Sequence, residues 1–275
     1  MKVAVVELTD QIGVFDVSGA TPSFLNALRR MLMAQVPKLA IEDVTVYDNT
    51  SALFDEMVAH RLGLLPVPTD LNQFVRRQDC TCNGEGCANC TVLFTLSKEG
   101  PAMVYSGDLV PAADAKFRIV DPKIPVVKLL EGQRLMLEAG AILGSGTEHA
   151  KWQVVTAVGY MEYPVIKVNG PLTQAQADRL SKVAPPGVVS IEGTTLKVNE
   201  PLKAVAWLRS VKREEDLTQV ELSFEPGRWL LRVETDGALS PVAALRKASS
   251  MLMEKLKQVE SEVGSLKAPA APAAN

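Results

Sequence analysis

The sequence predicts an α+β fold, and three observations predict it. One amphipathic helix, Thr21–Pro37, follows two strand-like segments, and a second helix starts at Ser240-Pro241. Between them run short segments that alternate apolar and polar residues, the pattern of half-buried strands. In that β-rich middle, four cysteines stand between Cys80 and Cys90.

Taken in order, Lys2–Leu8 is apolar and β-branched enough for a strand, and Gln11–Val17 reads as a second. Ser18-Gly19 turns the chain into the first helix. Thr21 is a good N-cap, and Pro22 lacks only an N–H that would be unpaired there anyway. Pro37 stops the helix. Phe24, Leu25, Leu28, Met31 and Leu32 form an apolar stripe on one face. Arg29 and Arg30 interrupt it. Adjacent positions point about 100° apart, so both cannot lie under that face.

After Pro37, Ile41, Val44 and Val46 alternate as in a strand. Asn49 or Ser51 is expected to cap a short helix, LFDEMVAHRLGLL, ending near Gly63 before Pro66 and Pro68 break the chain. His60 has no Ser, Cys or acid beside it that would make a catalytic array, so it reads as a structural histidine. Asp55 and Glu56 read as surface or interface charges.

The cysteines follow the spacing Cys80-x-Cys82-x4-Cys87-x2-Cys90. Four thiolates suit a tetrahedral zinc ion and leave no open coordination position, so the expected site is structural. Gly84 and Gly86 permit the tight turns that bring the pairs together. An iron–sulfur site also takes four thiolates, but the first pair here is separated by one residue and ferredoxin patterns use wider spacings. Clustering of every cysteine in one short polar loop points to metal rather than to disulfides.

Strands are then expected at Thr91–Leu96, near Ala102–Leu109 and over RLMLEAGAILG. Gly144-Ser145-Gly146 is not a phosphate loop, because no Lys-Ser/Thr follows at the required spacing. Residues 163–213 contain a helix, a hairpin about Glu192-Gly193 and a second helix from about Pro201 to Val211, with Leu180, Val183 and Trp207 as its core. VELSFEPGRWLLRVETDG reads as two strands around a Pro226-Gly227 turn. In the last helix Leu245, Ala248, Leu252, Leu256, Val259 and Val263 recur at three or four residues, a heptad-like seam. From Lys267 the tail is rich in Ala and Pro and expected to be disordered.

Composition narrows the function. An apolar fraction of 47% is ample for a packed core. Net charge is −3 and the pI about 5.6, which speaks against a chain that grips nucleic acid by itself. It leaves room for a subunit that stands back from the nucleic acid and meets DNA only indirectly. No apolar run approaches the ~18 residues of a membrane span, and MKVAVVELTD has no secretory h-region, so a cytoplasmic location is expected.

The stretch LNALRRMLMAQVPKLAIEDVTVYDNTSALFDEMVAHRLGLLPV closely resembles the signature region of the alpha-like subunit 3 family of archaeal RNA polymerases. These proteins are similar to the third-largest subunits of the eukaryotic nuclear polymerases and to the amino-terminal domain of bacterial alpha. The cysteine loop, HAKW at His149–Trp152 and LLRVETDGALSPVAALRKASSMLMEKL resemble further blocks of the family. Val154 stands where many relatives carry Pro.

The resemblance implies an alpha-like dimerisation domain over 1–42 and 216–275. It also implies an inserted β-rich zinc domain over 43–160 and a ferredoxin-like insert over 161–215. Archaeal relatives often carry cluster cysteines in that last insert. Here none remains, so no iron–sulfur cluster is expected.

The implied role is a non-catalytic assembly subunit of the DNA-directed polymerase. Subunit L would pair with Phe24, Leu25, Leu28, Met31, Leu32, Leu245, Leu252, Leu256 and Val259. Arg29 and Arg30 would contact the second-largest subunit, and subunits N and P would join the pair. A free zinc-bearing adaptor and a ferredoxin-like redox protein are the alternatives.

Overall fold

The computed structural model describes residues 1–214 and 218–265. The expected disordered tail from Lys267 lies outside these residues, as does the domain boundary expected at 215–216. The chain folds as a mixture of α and β elements. Contacts divide it into two units where the sequence suggests three domains. One unit holds Met1–Ala4, Phe15–Thr21 and Tyr160–Leu231; the other holds Val5–Val14, Pro22–Gly159 and Arg232–Asn275.

Strands β1 (Lys2–Leu8) and β2 (Ile12–Ser18) precede helix α1 (Pro22–Ala34). With β9 (Val155–Val168) and β12 (Val220–Thr235) they form a four-stranded sheet in the order β1-β2-β12-β9. β12 corrects the two-strand reading. Pro226-Gly227 sits inside one continuous strand, where Gly227 takes φ +75° and its carbonyl accepts from the Gly19 N–H at 2.9 Å. A left-handed glycine can sit in a bulge as readily as in a turn.

The second sheet has the order β3-β8-β4-β6, built from β3 (Lys38–Asn49), β4 (Thr91–Glu99), β6 (Val110–Pro111) and β8 (Arg134–Gly144). β3 and β8 pair antiparallel from Lys38↔Gly144 to Asn49↔Leu135, with a register shift between Ile41 and Asp43 that leaves Glu42 as the extra residue. β5 (Ala102–Tyr105) pairs with β7 (Pro125–Leu129). Helix α2 (Asp55–Gly63) packs on this layer through Val58 and Leu62, in a core with Phe94, Leu135 and Leu137. Its N-cap is Phe54, without a side-chain cap. Asn49, expected as a cap, instead donates to Leu53 O at 2.9 Å and Asp55 Oδ1 at 2.7 Å.

In the first unit, α3 (Gln174–Val183) is capped by Thr173 and Gln176, whose side chains accept from each other's backbone N–H. The hairpin β10 (Val189–Glu192) and β11 (Thr195–Val198) follows, then α4 (Pro201–Glu214). Leu180, Leu196 and Leu208 centre its core, with Trp207 packed at the edge. Val183, expected in that core, is 58% exposed because it falls at the end of α3, past the buried face.

The last helix, α5 (Pro241–Ser265), packs against α1. Its first turn is capped by Ser240, whose Oγ accepts from the Ala243 N–H at 3.3 Å.

Candidate metal centre and subunit-contact surface

The metal loop is built by consecutive tight turns. Asn83 N–H donates to Cys80 O at 3.1 Å, Glu85 N–H to Cys82 O at 3.2 Å and Cys90 N–H to Cys87 O at 3.0 Å. Gly84 and Gly86 take φ of +88° and +92°, which costs a side-chain-bearing residue strain. These turns gather four thiol sulfurs within 4.8 Å of one another. Cys80–Cys87, Cys82–Cys90 and Cys87–Cys90 are 3.5, 3.7 and 4.0 Å apart, and none is in a disulfide. A tetrahedral ion with metal–sulfur bonds of about 2.3 Å sets its ligands about 3.8 Å apart. The donor set therefore fits one tetrahedral ion.

The loop favours thiolate at selected positions. The Cys82 thiol pKa is lowered to about 6, chiefly by the backbone N–H of Gly86. Cys80 is pushed up to about 11: the backbone bond from Cys82 lowers it, but burial and its hydrogen bonds to the other three sulfurs outweigh that bond.

A cation sits beside the sulfurs. Arg77, three residues before Cys80, donates from Nη1 to Asp43 Oδ2 at 2.6 Å. Its buried Nε has no hydrogen-bond partner among the described residues. Hydrogen bonding to Asp43 raises the guanidinium pKa, against desolvation; the Asp43, Cys90 and Cys82 charges add to the rise. A Cβ on Gly86 would come within 2.9 Å of Arg77 Nη2, so glycine there is what lets the guanidinium lie against the loop. The β-bulge at Glu42 re-aims Asp43 toward it. Arg76 adds a second tether, Nη1 to Glu148 Oε1 at 3.0 Å. Sequence reading missed Arg77 and Asp43. The available signal was a basic residue just before a cluster that becomes anionic on metal binding.

The expected subunit contacts divide into two groups. Leu25, Leu28, Met31 and Leu32 are buried within the chain itself, and Phe24 is half-buried. The chain's own packing, including α5 against α1, covers these four side chains. On α5, Leu245 and Leu252 are half-buried, whereas Leu256, Val259 and Val263 are 62%, 59% and 60% exposed and Met253 is 56% exposed. Arg29 folds back on Asn26 Oδ1 (3.0 Å from Nη2) and Met33 Sδ (3.2 Å), while Arg30 is exposed. His60, Asp55 and Glu56 are exposed.

Comparison with known proteins decides among the readings. Residues 44–162 match the RNA polymerase Rpb3/RpoA insert domain. DNA-directed RNA polymerase subunit Rpo3 of Methanothermobacter thermautotrophicus is 40% identical over 262 residues, 94% of this chain and 97% of the relative. The Rpo3 subunits of Thermoplasma volcanium and Methanosphaera stadtmanae are 39% and 38% identical, covering 93% and 94% of this chain and 96% and 97% of theirs. The chain belongs to the archaeal Rpo3 family of RNA polymerase subunits. It is thus part of a polymerase complex whose other subunits are its partners. No described helix is long and apolar enough to cross a membrane.

Proposed function

We propose that the chain is a non-catalytic assembly subunit of the archaeal DNA-dependent RNA polymerase. It pairs with subunit L through the outer half of α5 and carries a structural zinc ion in the four-cysteine loop. The observation that carries the pairing is the exposed apolar seam Met253, Leu256, Val259 and Val263. Leu256, Val259 and Val263 follow three- and four-residue spacing, which places them on one face. Fully burying each large aliphatic side chain is worth roughly 1.5–3 kcal/mol before association costs.

Subunits N and P join this pair, and Arg30 leads the contact to the second-largest subunit, with Arg29 bound to its own helix. The α3-β10-β11-α4 segment is a ferredoxin-like insert held by apolar packing without a cluster. In its place in the polymerase the chain lies in the cytoplasm and meets DNA only indirectly. Among the described residues the four cysteines are the one group of three or more potential metal ligands. Four thiolates around one ion leave no position for substrate.

The test is purification of the native chain. It should bring down subunits L, N and P and the large catalytic subunits in equal amounts. Recovery as a free zinc protein, or with iron and visible absorbance, would favour the adaptor or redox reading instead.

A further inference from the structure

A cleft of about 610 Å³ opens beside the start of α5. Its floor includes Pro68, Leu71 and Leu239, and its rim carries Lys116, Arg246 and Lys247 against the single carboxylate of Asp70. Lys116 is engaged, 3.5 Å from Asp70, 3.9 Å from Asp114 and 2.7 Å from Gln73 Oε1. Arg246 and Lys247 form no ion pair or hydrogen bond among the described residues, and Arg246 is exposed. Both lie on the α5 face that carries Ala243 and Ser250 into the cleft.

The walls are fixed in place. Thr69 N–H donates to Ala238 O at 2.9 Å, and the Thr69 hydroxyl accepts from Leu39 N–H at 3.0 Å. Lys38 pairs with Asp236 at 2.5 Å, the two side chains only 5% and 19% exposed. The cleft is therefore formed before anything enters it.

We propose that this cleft docks an acidic polypeptide segment of another polymerase subunit. Two cations without partners among the described residues give it a positive field on a chain whose net charge is −3, and a carboxylate-bearing segment complements that field. The apolar floor suits the side chains of a peptide. A nucleic-acid strand requires a run of phosphate-neutralising cations, and Asp70 would repel it. The cleft uses α5 only up to Ser250, before the exposed seam that begins at Met253. Membership of a polymerase complex keeps other subunits permanently within reach, which suits a small and individually weak contact.

The experiment uses the assembled polymerase with the photo-crosslinker p-benzoylphenylalanine at Asn72, an exposed rim residue. Ultraviolet cross-linking and peptide mass spectrometry should find one segment of another subunit carrying several Asp or Glu residues. R246E/K247E should lower its yield about tenfold or more, as loss of a complementary charge pair predicts, while R246K/K247R should retain it. If the reversed variant fails to enter the polymerase, R246Q/K247Q and the fall of the wild-type yield with added KCl give the same reading. A cross-link to a neutral or basic segment, to nucleic acid, or to nothing would overturn the proposal, as would a yield indifferent to both charge and salt.

Discussion

Arg77 donates to Asp43 at 2.6 Å across 34 residues of sequence, and this contact ties the four-cysteine loop to β3. A four-thiolate site around a divalent ion carries two net negative charges, and Arg77 is the cation placed against them. Protein never exposed to chelator should hold about one zinc per chain and no iron, measured by elemental analysis. Arg77→Gln should speed zinc transfer to a chelator about tenfold or more, in line with the loss of an outer-shell partner, with Arg77→Lys intermediate. An unchanged transfer rate would show that Arg77 does not hold the ion, while leaving the zinc itself standing.

The link to Glu148 predicts a pH dependence. Its carboxyl is held below the usual range, first by the Ser145 N–H at 2.6 Å and then by Arg76. A depressed folded-state pKa contributes stability that is present above the unfolded value and lost as pH falls through the folded one. Glu148→Gln should therefore destabilise the chain at pH 7, and the difference should shrink below about pH 4, the ordinary Glu range. Denaturation at both pH values checks this. A gap that is constant with pH would contradict it.

Gly144 faces Trp152. A Cβ there would stand 2.3 Å from the indole ring, whose Nε1 donates to Ile142 O at 3.1 Å. Lys151 also holds the ring, with its Nζ 4.4 Å from the centroid. Gly144→Ala should cost about 1–3 kcal/mol, the usual penalty for overpacking. Chemical denaturation measures it, and a neutral result would mean that Trp152 can swing away.

The two arginines of α1 should separate. Arg30 is exposed and Arg29 is engaged with Asn26 and Met33. Arg30→Ala should weaken incorporation into polymerase more than Arg29→Ala, scored by the fraction of the chain recovered in the complex. Equal effects, or none, would remove the proposed contact with the second-largest subunit.

Much of this was legible in the sequence because it depends on short-range chemistry. Pro22 and Pro37 bracket α1, the alternation over RLMLEAGAILG gives β8, and cysteine spacing marks the four-thiol cluster. The misreadings arise where a local signal has two outcomes. Pro226-Gly227 is turn chemistry, yet Gly227 keeps its left-handed backbone inside one continuous strand, β12. The stripe on α1 states that one face is apolar, but the sequence does not say whether α5 or a partner covers it. Leu25 and Leu32 are covered within the chain, so the exposed seam falls further along α5. Asp43 is found beside Arg77 only once a bulge has aimed it.

The pairing claim rests on that seam, and one measurement tests it directly. The chain carrying Leu256→Asp and Val259→Asp is co-expressed with subunit L, and the product's mass is read by size-exclusion chromatography with light scattering. The wild-type chain should give a heterodimer and the variant should lose subunit L, with the metal content of the cysteine loop unchanged. A heterodimer that survives both substitutions would contradict the claim.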